Sequence, residues 1–178
     1  MTDYSDLEDA ALVKQASSDA EAFAVLYHRY LTPVYRYLYR RLGNEKDAED
    51  LTAQVFTEAL EGLAVYRERG RFASWLFTIA RRRLVDLYRQ RVPDKLDNPP
   101  DNAPSLQTAI EQEETYAQLE ELLSQLDENQ QEILRLRFAA GLEFAEVALV
   151  LKRSPGAVKM KLYRTLDWLQ ANWESNHE

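Results

Sequence analysis

Four prolines, Pro93, Pro99, Pro100 and Pro104, fall within twelve residues and are interleaved with Asp94, Asp97, Asn98, Asp101 and Asn102. Proline removes backbone donors and fixes φ, so no helix or central strand crosses such a stretch. It predicts an extended, solvated tether over residues 93–110, between an N-terminal block of 1–92 and a C-terminal block of 111–178. On both sides of it apolar residues recur at i, i+3 and i+4, and only 5 of the 178 residues are glycine. Both features favour helix. The expected fold is all-α, with two small helical domains joined by an acidic, proline-rich flexible linker.

Several classes of function fall away. The chain has no cysteine, which excludes disulfides, thiolate metal sites and a Cys nucleophile. His28 and His177 are too few for a histidine metal cluster. No cofactor is expected. Carboxylates are plentiful, but none stands in a recognisable acid/base, nucleophile or metal pattern, so no enzyme is expected. The N-terminus is acidic without an apolar run, and no stretch approaches the ~20 apolar residues of a membrane span, which points to a cytoplasmic protein.

The N-terminal block opens with an acidic leader and a short helix presenting Leu12, Val13 and Ala16 on one side. Residues 22–42 repeat Phe23, Leu26, Tyr30, Val34, Leu38 and Leu42 with helical spacing, Pro33 marking a kink or a junction, and end at Gly43-Asn44. Residues 46–64 place Ala48, Leu51, Val55 and Ala59 inward. Their outer face carries Glu49, Asp50, Ala53, Thr57 and Leu60, with Phe56 also off the inner stripe. Acids mixed with apolar groups on an outward face suit either a protein partner or plain solvent.

Residues 71–91, RFASWLFTIARRRLVDLYRQR, combine two faces. Ser74 is placed to cap a helix starting at Trp75. Leu76, Ile79, Ala80, Leu84 and Leu87 form one apolar stripe. At about 100° per residue the opposite face carries Thr78, Arg82 and Arg89, with Arg81 on its flank and Arg83 close to the aliphatic side. Trp75 suits core packing and ligand contact equally. The loop before adds Arg67, Arg69 and Arg71, so eight arginines face only Glu68 and Asp86 from residue 67 to 91. A solvated helix interleaves both signs; this one points to a polyanion.

The net charge of −8 looks wrong for such a ligand, but its distribution resolves the conflict. Residues 1–92 hold 14 Lys/Arg and 14 Asp/Glu, residues 93–130 hold 1 and 10, and residues 131–178 hold 7 and 6. The excess lies in the middle, between two neutral blocks that each contain a basic cluster.

The C-terminal block begins with a helix over 110–126 with Tyr116, Leu119, Leu123 and Leu126 inward. Asp127 and Gln130 form a capping box for a helix over 128–140 that uses Ile133, Leu134, Leu136 and Phe138. A short helix with Phe144, Val147, Ala148 and Leu151 on one face follows. Lys152-Arg153 makes a turn, Ser154 caps the next helix, and Pro155 opens it. That helix buries Val158, Leu162, Leu166 and Leu169 and shows Ala157, Met160 and Arg164, flanked by Lys159 and Lys161. Five cations and no acid lie between Lys152 and Arg164. Two short helices, a tight turn and a cationic second helix make a helix-turn-helix. Arg164 could reach a guanine edge, Ala157 and Met160 a thymine methyl, and the lysines phosphates.

Both constellations, in this order and across this linker, resemble the extracytoplasmic-function (ECF) sigma factors of bacterial RNA polymerase. The resemblance covers about residues 20–170. It rests on DAEAFAVLYHRYLTPVYRYLYRRLG, DAEDLTAQVF and FASWLFTIARRRLVDLYR in the first block, and on LDENQQEILRLRFAAGLEFAEVALVLKRSPGAVKMKLYRTL in the second. It implies sigma domain 2 and sigma domain 4, promoter DNA, and core polymerase bound at its β′ clamp and β flap. It is also compatible with an anti-sigma factor, and the free chain would be a monomer.

Carried residue by residue, the resemblance makes Glu49, Asp50, Ala53, Gln54 and Thr57 the clamp-binding face. It makes Arg67, Arg69, Arg71, Phe72, Trp75, Thr78, Arg81, Arg82 and Arg89 the reader of the −10 element. It makes Arg153, Ser154, Ala157, Lys159, Met160, Lys161 and Arg164 the reader of the −35 element. The chain departs from the family pattern at Ala53-Gln54, where Gln-Glu is usual, and at Lys152, where glycine is often found. A stand-alone helix-turn-helix regulator, acting on duplex DNA without polymerase, is the competing reading; it leaves the arginine-rich stretch unexplained.

Overall fold

The computed structural model describes Tyr4 and residues 6–67, 71–91 and 118–175, and all regular structure among them is helical. The proline-rich stretch, Arg69 and Tyr116 lie outside the described residues. In chain order the helices are α1 (Asp9–Ala16), α2 (Ala20–Leu42), α3 (Glu45–Gly62), α4 (Phe72–Arg91), α5 (residues 118–124), α6 (Glu128–Leu134), α7 (Phe144–Leu151) and α8 (Pro155–Ser175).

The first four helices pack as one bundle. The Asp19 side chain caps α2 by accepting from the Glu21 amide, and α2 ends on Gly43 in the left-handed region at φ 63°. Pro33 lies inside α2, which runs on past it. Asn44 caps α3 by accepting from the Asp47 amide. The core of this bundle joins Leu12, Leu26, Val34, Tyr37, Leu38, Val55, Leu76, Phe77 and Leu84, each almost wholly out of water. Phe56, expected outside the inner stripe of α3, is buried and meets Tyr27 edge-on at 4.7 Å between centroids. Leu60 does face outward, at 49% exposure.

α4 starts earlier than its sequence suggests. The Arg71 carbonyl accepts the first helical bond, from the Trp75 amide at 3.1 Å, and Phe72 is already in the helix. Ser74 is therefore no cap. It sits in the first turn with its side chain turned inward, 4% exposed.

The second bundle is organised by its caps. Asp127 and Gln130 form the expected capping box at the start of α6, the Asp127 carboxylate accepting the Gln130 amide at 2.8 Å. α5 is rotated from its expected register, with Leu122 and Leu126 buried and Leu119 38% exposed. After Leu134 the helix widens into a π turn over Arg135–Ala139, closed by the Ala140 amide on the Arg135 carbonyl at 3.0 Å. The wider turn breaks the 3.6-residue period. Leu136 stays inside, while Phe138, expected inside, is 64% exposed. Gly141 at φ 74° ends the segment. Lys152 holds the helix-turn-helix turn at φ 54°, the one non-glycine residue with positive φ among those described. The Ser154 hydroxyl accepts the Ala157 amide at 3.2 Å and so caps α8.

The two bundles touch. Tyr37 and Arg41, one turn apart on α2, meet Glu132 and Glu128, one turn apart on α6. The Tyr37 hydroxyl donates to Glu132 at 2.7 Å. Arg41 pairs with Glu128 and lies 3.9 Å from Glu132. Arg81 from α4 reaches the same Glu132 carboxylate at 3.5 Å and Arg135 at 3.7 Å. Tyr37 is fully buried, Glu132 4% exposed and Arg41 8% exposed. Burial first, and then Glu132, push the Tyr37 phenol well above its ordinary range. Burial alone would lower the Arg41 guanidinium, but Glu132 and Glu128 outweigh it and hold it up. α7 packs beside α4 as well.

Candidate nucleic-acid interface

Two aromatic rings build the first site. Trp75 stacks obliquely on Tyr66, 4.5 Å between centroids and 30° between planes, and leans on Phe72 at 5.7 Å. Its six-membered ring lies over Gly62, where an added Cβ would come within 2.9 Å of it. The end of α3, the loop after it and the first turn of α4 thus hold the indole from three sides. Trp75 remains partly exposed, so it serves both as packing and as a platform.

Around that platform Tyr66, Arg67, Arg71, Ser74, Trp75 and Thr78 line an open cavity of about 220 Å³, whose far wall is Leu149 of α7. Thr78 donates its hydroxyl proton to the Ser74 carbonyl at 2.7 Å, so its oxygen keeps its capacity to accept. The buried Ser74 hydroxyl has no hydrogen-bond partner. Phe72 belongs to the core. It is 2% exposed, with its ring against Tyr30, Tyr66 and Trp75. It is thus a support for the tryptophan, not the contact surface that the family resemblance implied.

The three consecutive arginines separate by partner. Arg82 and Arg83 both engage Glu58 of α3, Arg83 through Nε at 2.5 Å. Arg82 keeps 60% of its side chain exposed. Arg81 turns the other way, onto Glu132. Arg89 is exposed about two turns further along α4.

The exposed strip of α3 is continuous. Glu49, Asp50, Ala53, Gln54 and Thr57 all face solvent, opposite buried Ala48, Leu51, Val55 and Ala59, and the strip runs on into Leu60. Arg153 and Ser154 just before α8, and Ala157, Lys159, Met160 and Arg164 on it, are exposed, while Val158, Leu162 and Thr165 are buried. Lys159 lies 5.7 Å from the centre of the Tyr163 ring. Lys161 is spoken for, since its ammonium donates to Asp127 at 2.7 Å. Among the described residues no group of His, Cys, Asp or Glu is arranged to hold a metal ion, and no helix is long and apolar enough to cross a membrane.

Sequence reasoning missed Tyr66, Leu149, Glu58 and Glu132, and gave Ser74 only a capping role. Tyr66 directly precedes the first loop arginine and could have been noticed. The others meet their partners only through tertiary packing.

A helical pair of domains, one with an aromatic platform ringed by arginines and one with a cationic helix-turn-helix, defines a nucleic-acid-binding protein. Comparison with known proteins narrows the class. Residues 26–92 match Sigma-70 region 2, and residues 116–169 match Sigma-70, region 4. The chain is 35% identical over 165 residues to the ECF RNA polymerase sigma factor BldN of Streptomyces coelicolor, covering 87% of this chain but only 62% of that one. It is 31% identical over 160 residues to the RNA polymerase sigma factor YlaC of Bacillus subtilis, covering 86% and 92%. The solved structure of CnrH in complex with the cytosolic domain of CnrY shares the fold at TM-score 0.69, with 24% identity over 94% of this chain and 97% of that chain. The chain belongs to the ECF sigma factors of RNA polymerase, initiation factors that direct transcription rather than catalyse it.

Proposed function

We propose that this chain docks on core RNA polymerase through the exposed strip of α3, reads the −10 element as single-stranded DNA at the Trp75 cavity, and reads the −35 element as duplex with α8. The observation that carries the reading is the convergence of Arg67, Arg71, Trp75 and Thr78 on one open cavity. An aromatic platform accepts any base face, and stacking on one contributes about 1–3 kcal/mol per base. Flanking arginines neutralise the phosphates that such a base brings with it. A base must leave the duplex to reach a cavity of this kind, at a cost of a few kcal/mol, which ties recognition to melting. Arg82 and Arg89 follow along α4 as strand contacts.

On α8 the exposed side from Arg153 to Arg164 supplies the other half. Arg164 is a candidate for a guanine edge, Ala157 and Met160 for thymine methyls, and Ser154, Arg153 and Lys159 for phosphates. The chain needs no catalytic group of its own, because polymerase supplies the chemistry, and it works in the cytoplasm where polymerase acts. An anti-sigma protein covering these same surfaces fits the arrangement.

In vitro transcription with core polymerase on a genomic fragment library tests the reading. Defined start sites that share two spaced upstream elements are expected. Transcripts that are the same with and without the chain would sink it. A gel shift run in parallel is expected to give a specific complex only when core polymerase is present.

A further inference from the structure

We propose that Gly62 is a positioning residue for −10 recognition: having no side chain, it lets the Trp75 indole lie directly against the end of α3, and that seat sets how large a base the cavity admits. This rests on the reading of the Trp75 cavity as the −10 site.

Gly62 is the last residue of α3. Glycine in a helix is less stable than alanine, because it gives up more backbone freedom on folding. A positive φ justifies that cost at Gly43 and Gly141, which stand at 63° and 74°. Gly62 does not share it. Leu63 after it keeps helical angles, φ −58° and ψ −35°. The Gly62 carbonyl accepts the Val65 and Tyr66 amides at 3.1 and 3.0 Å. The backbone at this point would take any residue. What excludes a side chain is Trp75. An added Cβ would stand 2.9 Å from its Cζ2 and 3.3 Å from its Cη2, whereas one added at Gly141 or Gly156 meets nothing within 4 Å.

The indole cannot yield toward its neighbours. Tyr66 is stacked on it at 4.5 Å and Phe72 leans on it at 5.7 Å. Phe72 is buried in its turn, with Tyr30 edge-on at 5.5 Å. Such packed surroundings do not compress. Unbonded carbons rest about 3.5–4.0 Å apart, so a Cβ on residue 62 would drive the ring roughly 0.6–1 Å. The free volume beside the ring is the cavity that Trp75 and Tyr66 line. The displaced ring takes up room there. A purine needs more of that room than a pyrimidine, so the loss falls on purines first.

The test uses Gly62→Ala in the full-length chain assembled with core polymerase. Alanine is the strongest helix former, so helix content is expected to hold. The probes are fluorescein-labelled 20-nucleotide single strands carrying the −10 element of a promoter that the chain transcribes. Each −10 position is presented in turn as A, G, C, T or an abasic site, and anisotropy gives the affinities. In the wild type one position is expected at which the abasic site weakens binding, and Trp75→Ala is expected to remove that difference. At this position Gly62→Ala is expected to weaken purines roughly tenfold relative to pyrimidines, the low end of what a single methylene decides in a pocket. Affinity for the abasic strand and for core polymerase is expected to stay as in the wild type. Trp75→Phe lacks the ring atoms that the new Cβ would meet, so adding Gly62→Ala to it is expected to shift the preference no further. Wild-type preference in Gly62→Ala, an equal loss on every strand, or the same purine penalty in the Trp75→Phe background overturns the proposal. If no position in the wild type responds to an abasic site, the cavity is not the −10 site and both readings fall. If one responds and Gly62→Ala leaves it unmoved, only the role of Gly62 is wrong.

Discussion

The Tyr37 hydroxyl donates to the Glu132 carboxylate at 2.7 Å, across 95 positions of sequence and with both side chains out of water. The bond joins the two bundles through a group that the first buries completely and a group that the second buries almost completely. Tyr37→Phe keeps the ring against Phe77, 5.6 Å away, and deletes only the donor. A buried acceptor left short of a partner costs about 1–3 kcal/mol. Urea unfolding is expected to show a loss in that range, and to show it in the contact between bundles before the core of either. A midpoint equal to that of the wild type would mean that water replaces the hydroxyl.

Arg82, the proposed −10 contact, is the arginine most open to solvent in the triplet and is paired with Glu58. Arg82→Ala is expected to reduce open-complex formation at a cognate promoter about tenfold, the scale of one lost charge-assisted contact, while binding to core polymerase persists. Permanganate footprinting of the melted strand measures this directly. Unchanged melting would remove Arg82 from the strand.

Arg164→Ala is expected to relax base preference at one −35 position, by about 1–3 kcal/mol. Competition between promoter variants with single substitutions reads this out. An equal loss on every sequence would make Arg164 a phosphate contact instead.

Asp127 supplies the pH dependence. Partial burial pushes its carboxyl up, but the Lys161 ammonium and the Gln130 amide outweigh that and hold it below its ordinary 3.8. A lowered carboxyl stabilises the fold above its unfolded pKa, and that stability is lost as pH falls through the folded one. Asp127→Ala should therefore cost about 1 kcal/mol, the usual worth of such a cap, at neutral pH. The gap between variant and wild type should close once the pH drops below 3.8. Thermal melts across the acid range follow it; a gap that is constant with pH would mean the cap works without its charge.

What could be read from the sequence divides along physical lines. Helices with an unbroken 3.6-residue period and local caps were legible: α2, α3, the Asp127–Gln130 box, and α8 with its Ser154-Pro155 start all follow from near neighbours. The same reasoning failed at Phe138, because a π turn changes the period within the helix. It failed at Ser74, whose capping chemistry is real but whose hydroxyl is turned into the protein. The family resemblance placed Phe72 among the ligand contacts; its packing against Tyr30, Tyr66 and Trp75 shows it to be core. The arginine triplet was partly legible. Helical phase set Arg83 apart, but the structure gives it and Arg82 the same partner, Glu58, and nothing near Arg81 in sequence points to Glu132.

The π turn over Arg135–Ala139 carries one residue more than an α turn needs. Upstream of it, Glu128 and Glu132 address the other bundle; downstream, Leu142, Val147 and Ala148 are buried beside it. The extra residue acts as a phase shifter between two faces that a uniform helix would force into a single register. Deleting one residue there would heal the helix and rotate all that follows by about 100°. A chain shortened in that way could seat its helix-turn-helix or meet its neighbour, but not both, so length at this point is under tighter constraint than the identity of any residue in it.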